Sequence, residues 1–399
     1  MRVIEMRRGK RPGSSEPAAV PEARQNGTVR RTLLVTNDFP PRPGGIQYYL
    51  HALAGMLGGD LVVYAPAWSG SEAFDARQPF QVVRHPDPLL LPSPDVHRRV
   101  TAVLRGERCD AVWFGAAAPL GLLGPHLPVD RVVASTHGHE VGWSMLPGAR
   151  QVLRRIGDTA GVVTFVSRFT RSRIAQALGP RAALEHLSAG VDITVFKPDT
   201  AAREFIRARH GLSDRPVILC VSRFVRRKGQ DDLIRALPKI RQRVPGAVLM
   251  LVGDGPDGGR LSTLADGIGK GVVFVGEVHA EELPAYYACA DVFAMPCRML
   301  ARGLDVEGLG LVYLEAAASG LPVIAGDSGG APETVREGVT GHVVERGGLA
   351  TVLADLLLDR DLAAKMGAAG REWMATSWRW DDRATKLAAL IDGRRPPSP

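Results

Sequence analysis

Two glutamates, Glu307 and Glu315, stand eight residues apart in the run Glu307-Gly308-Leu309-Gly310-Leu311-Val312-Tyr313-Leu314-Glu315. The first lies in a glycine-rich stretch, and the second lies inside the apolar helix which that stretch opens. Eight residues are a little over two helical turns, so both carboxylates can face one cleft if Glu307 precedes the helix start. An ionised carboxylate accepts several hydrogen bonds and suits vicinal hydroxyls, so one acid can bind a sugar and the other a ribose diol. A solvated helix face with a capping acid gives the same spacing. Glu315 is followed by Ala316-Ala317-Ala318, however, and an acid in so apolar a helix needs a partner.

A second constellation is Ser222-Arg223-Phe224-Val225-Arg226-Arg227-Lys228-Gly229. It follows an apolar run and opens a helix. Arg223 offers a bidentate fork and Lys228 a point charge, a pairing suited to phosphate. A helix N-terminus adds positive potential, and the carboxyl ends of parallel strands are where open α/β sheets bind ligands. A plain basic surface loop is the other reading. Gly44-Gly45 and Ser328-Gly329-Gly330 are glycine-rich turns whose backbone N–H groups could approach an anion, or merely turn the chain.

The run Thr136-His137-Gly138-His139-Glu140 closes an apolar stretch. An imidazole at a strand tip can meet a substrate, cap a helix or bind metal. No third ligand source has metal-site spacing, which argues against zinc. Gly253-Asp254-Gly255-Pro256-Asp257-Gly258 formally satisfies a dinucleotide fingerprint. It would open the second βαβ unit of its domain, and a nicotinamide reading leaves Arg223, Lys228 and the glutamate pair unused. Asp359-Arg360-Asp361 lies in a helical region away from any strand tip and reads as a helix start.

The elements that must hold these groups are short apolar runs alternating with helix-like stretches. Runs at 33–35, 61–64, 111–114, 132–135 and 162–166 form one series, with a helix opening at Gly44-Gly45 and reaching Leu57. Runs at 217–221, 248–252, 272–275, 292–295 and 323–325 form a second. Strands alternating with helices predict parallel sheets built from βαβ units. Two such series predict two tandem Rossmann-like α/β domains facing across a cleft, over 30–197 and 198–391, with terminal helices from Leu349. Trp373, Trp378 and Trp380 are expected in their packing. Residues 1–29 read as a disordered basic leader, without the apolar core of a signal peptide, and 392–399 as a frayed tail.

Composition bounds the function. The 399 residues are 45% hydrophobic and 23% charged, an ordinary globular balance that excludes intrinsic disorder. Four scattered cysteines with no C-x-x-C exclude a disulfide scaffold and read as small buried hydrophobes. No apolar run is long enough to span a bilayer. The net charge of +8 divides into +3 over 1–29, +5 over 30–197 and zero over 198–399. A basic first half fits an anionic partner.

Together these motifs resemble glycosyltransferase family 4, retaining enzymes of the GT-B fold, over nearly the whole chain from Arg31 to Ile391. Within the family, the runs LLVTNDFPPRPGGIQ, VWFGAAAPL, STHGHEVGWSMLPGAR, VFAMPCR and LDVEGLG are similar to actinobacterial mannosyltransferases of phosphatidylinositol mannosides. That resemblance implies GDP-mannose as donor, a phosphatidylinositol mannoside glycolipid as acceptor, and a second mannose in α-1,6 linkage. It implies His137, Arg223, Lys228 and Glu307 as catalytic residues. The donor site would comprise Gly45, Arg223, Lys228, Gly253, Glu307, Gly308, Leu309, Gly310 and Glu315. Asn37, Asp38, Gln47, His139, Arg150, Arg154 and Arg155 would serve the acceptor or the membrane.

It further implies no metal or other cofactor and no nucleic acid. The enzyme would be a monomer or weak dimer, peripheral on the cytoplasmic inner face of the plasma membrane. Arg298-Met299-Leu300-Ala301-Arg302 reads as a variable loop beside the donor site. Alternatives are a different acceptor or a UDP-sugar donor, a nucleotide-sugar epimerase on the same fold, the nicotinamide oxidoreductase, and a non-catalytic binding module. Basic clusters at Arg150, Arg154 and Arg155 and at Arg168, Arg171 and Arg173 are expected to dock on anionic lipid or to be plain solvated faces.

Overall fold

The computed structural model describes residues 30–345 and 347–394. The expected leader and the last five residues of the expected tail lie outside them. Seven strands form a first sheet: β1 (Thr32–Val35), β2 (Leu61–Pro66), β3 (Gln81–His85), β4 (Ala111–Phe114), β5 (Arg131–Thr136), β6 (Val162–Phe165) and β7 (Leu184–His186). Six form a second: β8 (Val217–Val221), β9 (Val248–Val252), β10 (Val272–Gly276), β11 (Val292–Met295), β12 (Val323–Gly326) and β13 (Gly341–Val344). The orders are β3-β2-β1-β4-β5-β6-β7 and β10-β9-β8-β11-β12-β13, and every pairing between these strands is parallel.

In each sheet the winding reverses between its first and fourth strands. Chain segments leaving the carboxyl ends there diverge and open a crevice, the position at which doubly wound sheets take ligands. In the first sheet the crevice lies between β1 and β4, and the loop after β1 carries Asn37, Asp38 and Gly44-Gly45. In the second it lies between β8 and β11. The loop after β8 carries Arg223 and Lys228, and the loop after β11 carries Glu307.

The central strands β1, β2, β4, β8, β9, β11 and β12 are buried at every residue, so each reads as a continuous apolar run. Three strands escaped the sequence reading. β3 (QVVRH), β7 (LEH) and β13 (GHVV) are sheet edges, half exposed and mixed in polarity, and they give no such signal. All four cysteines are free and buried. No helix among the described residues is long and apolar enough to cross a membrane.

The three terminal helices are Leu349–Leu358, Arg360–Ser377 and Trp380–Ile391. Asp359 caps the second of them by accepting from Leu362 N at 2.9 Å, as the helix-start reading of Asp359-Arg360-Asp361 expects. That helix packs on Leu311–Ala318, the helix carrying Glu315. Its Arg371 donates to the carbonyls of Ala318 (2.5 Å), Phe196 (3.1 Å) and Ile193 (3.2 Å), tying the helix to the crossover between the sheets. The third helix returns to the first sheet and packs on Gly45–Leu57. Trp380 meets Tyr49 there at 5.8 Å, and Arg131 Nε donates to the Leu390 carbonyl at 2.9 Å. Trp378 and Trp380 are buried in this packing, with Trp373 packed partly buried beside them.

Candidate functional site

On the first sheet, β5 ends at Thr136 and the chain turns through His137-Gly138-His139 into the helix Glu140–Met145. Glu140 has no exposed surface. Its Oε2 accepts from the backbone N–H groups of His137 (2.9 Å) and Gly138 (3.2 Å), and its Oε1 lies 3.1 Å from His139 Nε2. This acid at a helix start therefore fixes the whole turn. The His137 ring meets Tyr49 edge-on at 5.0 Å, and its Nε2 bonds the Gly115 carbonyl at 2.6 Å. A carbonyl only accepts, so Nε2 carries the proton and Nδ1 keeps its lone pair. Burial lowers the His137 pKa despite Glu140 and the carbonyl, and the ring is neutral at pH 7.

On the second sheet, Lys228 ends the single 3-10 turn Arg226–Lys228 after β8. Its Nζ donates to Glu307 Oε2 at 2.6 Å, and Arg227 Nη1 donates to the same oxygen at 2.5 Å. Arg227 Nε also pairs with Asp305 at 3.0 Å. Glu307 is 7% exposed. Burial alone would raise its pKa, but Lys228 and Arg227 outweigh it and hold the carboxyl below the usual range. Among the described residues Glu307 Oε1 has no hydrogen-bond donor, so it is left to accept from a ligand hydroxyl.

Glycines bring the two halves together. A Cβ at Gly308 would lie 2.0 Å from the His137 carbonyl oxygen, and one at Gly138, whose φ is +105°, would lie 2.7 Å from Gly308 Cα. Gly45 opens its helix 3.6 Å, measured from the same virtual atom, from Leu311 Cδ1, at the start of the Glu315 helix. The His137 turn, the Gly44-Gly45 turn and the Glu307 loop thus border one seam. Gly310 supplies the left-handed residue that starts the helix Leu311–Ala318, and Leu309 is buried in the core beneath it.

Glu315, 8% exposed, has the partner its apolar helix demands: Tyr287 OH donates to Oε2 at 2.6 Å. Burial pushes the Glu315 pKa up to about 7, against the effect of that hydrogen bond. The two acids are therefore unlike. Glu307 stays ionised on two cations, and Glu315 titrates near neutrality on a phenol.

Other expected residues take different places. Arg223 is exposed beside the seam, and among the described residues its guanidinium has no ion-pair partner. Arg227, not singled out by spacing, holds Glu307 instead. Gly253 abuts the backbone of Ser222, where a Cβ would come 2.2 Å from the carbonyl oxygen; it allows neighbouring loops to pack. Gly329-Gly330 does not face open space as an anion turn would. Gly330 N donates to the Glu307 carbonyl at 2.9 Å and buttresses that loop.

Asn37 bonds both backbone groups of Leu90, and Gln47 Nε2 donates to Asp38 Oδ1 at 2.8 Å, so these three order the first crevice. His139 is held by Glu140. Arg150, Arg154 and Arg155 lie exposed on the helix Pro147–Thr159, away from the seam, with Arg154 paired to Asp158 at 3.0 Å.

The loop read as variable is anchored at its start. Arg298 binds Asp231 and Asp232 at 2.6–3.1 Å, partners some 66 residues away in sequence. Beyond it Val306 packs into the core of the first sheet, and the Leu304 carbonyl would meet a Cβ at Gly142 at 3.4 Å. Glu333 likewise crosses the seam, accepting from the N–H groups of Arg168 (2.9 Å) and Phe169 (3.0 Å) at a helix start. Glu140, Arg227, Tyr287 and Glu333 were not chosen from sequence. Only Glu140 and Glu333 had a signal there, an acid at the edge of a glycine-rich turn.

Two family models match the chain: "Glycosyltransferase Family 4" over residues 43–195 and "Glycosyl transferases group 1" over 202–373. A "GDP-mannose-dependent alpha-(1-6)-phosphatidylinositol monomannoside mannosyltransferase" of Mycolicibacterium smegmatis is 57% identical over 376 residues, covering 91% of this chain and 98% of the relative. A protein of Corynebacterium glutamicum named as the corresponding enzyme for the monoacylated lipid is 45% identical, with 91% and 98% covered. Among solved structures, HepE of Anabaena bound to UDP-glucose superposes with a TM-score of 0.77 at 20% identity, covering 91% of this chain and 99% of that one. Sucrose-phosphate synthase of Thermosynechococcus elongatus gives 0.76 at 22%, with 91% and 99% covered. Both structures share the GT-B fold.

The titration of Glu315 yields a stability test. Its folded pKa of about 7 lies above the ordinary 4.5, so the folded state binds more protons and loses stability as pH rises between those values. The loss is about 3 kcal/mol when complete. Thermal midpoints of Glu315→Gln and wild type should match near pH 4.5 and diverge by pH 8, with the variant the more stable. Parallel pH profiles would contradict the assignment.

Proposed function

The chain belongs to glycosyltransferase family 4, and on that footing we propose that it moves mannose from GDP-mannose to a phosphatidylinositol monomannoside, forming an α-1,6 linkage with retention at the anomeric carbon. The observation that carries this reading is the division of Glu307. Oε2 is neutralised by Lys228 and Arg227, and Oε1 is free to accept from a sugar hydroxyl beside the His137 turn.

Lys228 has three donors and can keep Glu307 while meeting a phosphate oxygen. Arg223, unpaired and adjacent, adds a fork from the same loop. These two cations stabilise the charge that develops on the departing diphosphate, so no metal is required in this reading. Glu315 accepts from the ribose, with Oε2 occupied by Tyr287 and Oε1 left for the nucleotide. Gly45 brings backbone N–H groups toward the phosphates. Neutral His137 contacts the transferred sugar. The acceptor hydroxyl approaches from the face the diphosphate leaves, through an oxocarbenium-like state. No side chain needs to serve as a covalent nucleophile.

The lipid acceptor requires contact with a membrane. Arg150 and Arg155 on one helix, and Arg168, Arg171 and Arg173 on the next, give the first half exposed positive charge. Each basic side chain near an anionic leaflet contributes about 1 kcal/mol. The enzyme works as a peripheral protein on the inner face of the plasma membrane.

The test is transfer from radiolabelled GDP-mannose, compared with UDP-sugars, to phosphatidylinositol monomannoside in anionic vesicles. Transfer from GDP-mannose to the lipid alone is expected, with vesicle binding that weakens as salt rises. Lys228→Ala should lower kcat by about 10²–10³ and lower the thermal midpoint as well, because Glu307 loses one of its two cations, so turnover is compared at a temperature where both proteins are folded. Near-wild-type turnover in that variant, or mannose passing only to soluble acceptors, would refute the reading.

A further inference from the structure

Away from the seam, a groove of about 730 Å³ opens on one face of the first sheet. It lies between the start of the helix Pro94–Gly106, the turn Leu120–His126 and the helix Pro147–Thr159. That volume falls within the roughly 300–1,000 Å³ of small-molecule sites. Leu122, Leu123, Val152 and Pro94 form its apolar wall. His97 Nε2 bonds the His126 carbonyl at 2.9 Å and fixes the opposite side. Gln151 and Arg155 stand on the lip.

The apolar surface does not stop at the groove. Leu91 leads directly into Pro92 at one end, and Leu146 into Pro147-Gly148 at the other. Leu89, Leu91, Met145 and Leu146 are 54%, 53%, 47% and 54% exposed. They are held outward rather than left loose. Leu90, between the first two, is fully buried and clamped by Asn37 at 2.6 and 3.0 Å. Met145 ends the short helix that begins at the His137 turn. Exposed apolar side chains therefore flank the groove on the two chain segments that lead to it from the first-sheet loops of the seam. Contiguous exposed apolar surface with a polar border marks a site of association rather than ordinary protein surface.

The border is cationic. Arg155, which lines the groove, has no ion-pair partner among the described residues, whereas its neighbour Arg154 is paired to Asp158. An apolar trough with an unpaired guanidinium group at its mouth matches a molecule that joins a hydrocarbon chain to an anionic phosphodiester. We infer that this groove takes one acyl chain of the glycerophospholipid acceptor, with Arg155 facing its phosphate. The inference rests on the lipid-acceptor reading above and deepens it. The acceptor is drawn partly out of the bilayer, and its head group is led along these segments to His137.

Gln151→Trp fills the lip from an exposed position, without touching the core or the seam. The quantity to measure is kcat/KM for the diacyl acceptor divided by kcat/KM for its deacylated glycerophospho form. This ratio should fall about ten-fold or more, equivalent to the lost burial of about two methylenes. An unchanged ratio overturns the groove. A second readout needs no turnover. Phosphatidylinositol carrying a photoreactive diazirine in one acyl chain should label the wild-type protein within 122–126 and 148–155. Labelling confined to other segments overturns the proposal. Absence of mannose transfer by the wild type, with labelling in the groove, would instead refute the transferase reading and leave the acyl site standing.

Discussion

The site depends on one buried carboxylate held between two cations. Glu307 is ionised where water scarcely reaches it, and isolated burial of that charge would cost several kcal/mol. Lys228 and Arg227 remove that cost by converging on a single oxygen. The arrangement is asymmetric, and the asymmetry gives it chemical use. One oxygen is neutralised by the protein and the other is left to a ligand. It also fixes Lys228, whose remaining donors point from the same loop that presents Arg223. Loss of either cation would leave the buried carboxylate with one counter-charge in place of two.

Everything around Glu307 serves to keep its loop in that position across two separately built sheets. Gly138 and Gly308 let two backbones meet at distances no side chain would permit. Gly330 supports the loop from behind, Val306 anchors it in the opposite core, and Glu333 closes the seam on the backbone at Arg168 and Phe169. The last helix, packed back on the first sheet through Trp380, gives the two halves a second covalent crossing. A site of this kind is made by the contact between sheets, so domain placement and chemistry cannot be varied independently.

Much of this was legible in the sequence, for identifiable reasons. Central strands of parallel sheets are buried on both faces, and Val217–Val221 or Val248–Val252 can be read directly. Edge strands such as Leu184–His186 cannot when their residues are mixed in polarity, whereas the edge strand Val272–Gly276 kept an apolar run and was read. Glu315 announced itself as an acid in an apolar helix, but Tyr287, twenty-eight residues upstream, did not. Within Arg226-Arg227-Lys228 the residue types are nearly alike. Only the direction of a single 3-10 turn decides that Arg227 and Lys228 reach Glu307. Arg298 looked variable because its partners Asp231 and Asp232 lie on a distant helix. Pattern reveals burial and strand tips; long-range pairing of charges needs the fold.

The central claim is that Glu307 meets the sugar through Oε1 while its other oxygen restrains the diphosphate-binding cations. The most direct measurement is calorimetric titration of Glu307→Gln with GDP, alongside its turnover of GDP-mannose. The neutral amide keeps the shape and frees Lys228 and Arg227 from their anion. GDP should then bind at least as tightly as to the wild type, while kcat falls about 100-fold or more. A variant that binds GDP normally and transfers mannose at the wild-type rate would contradict the account.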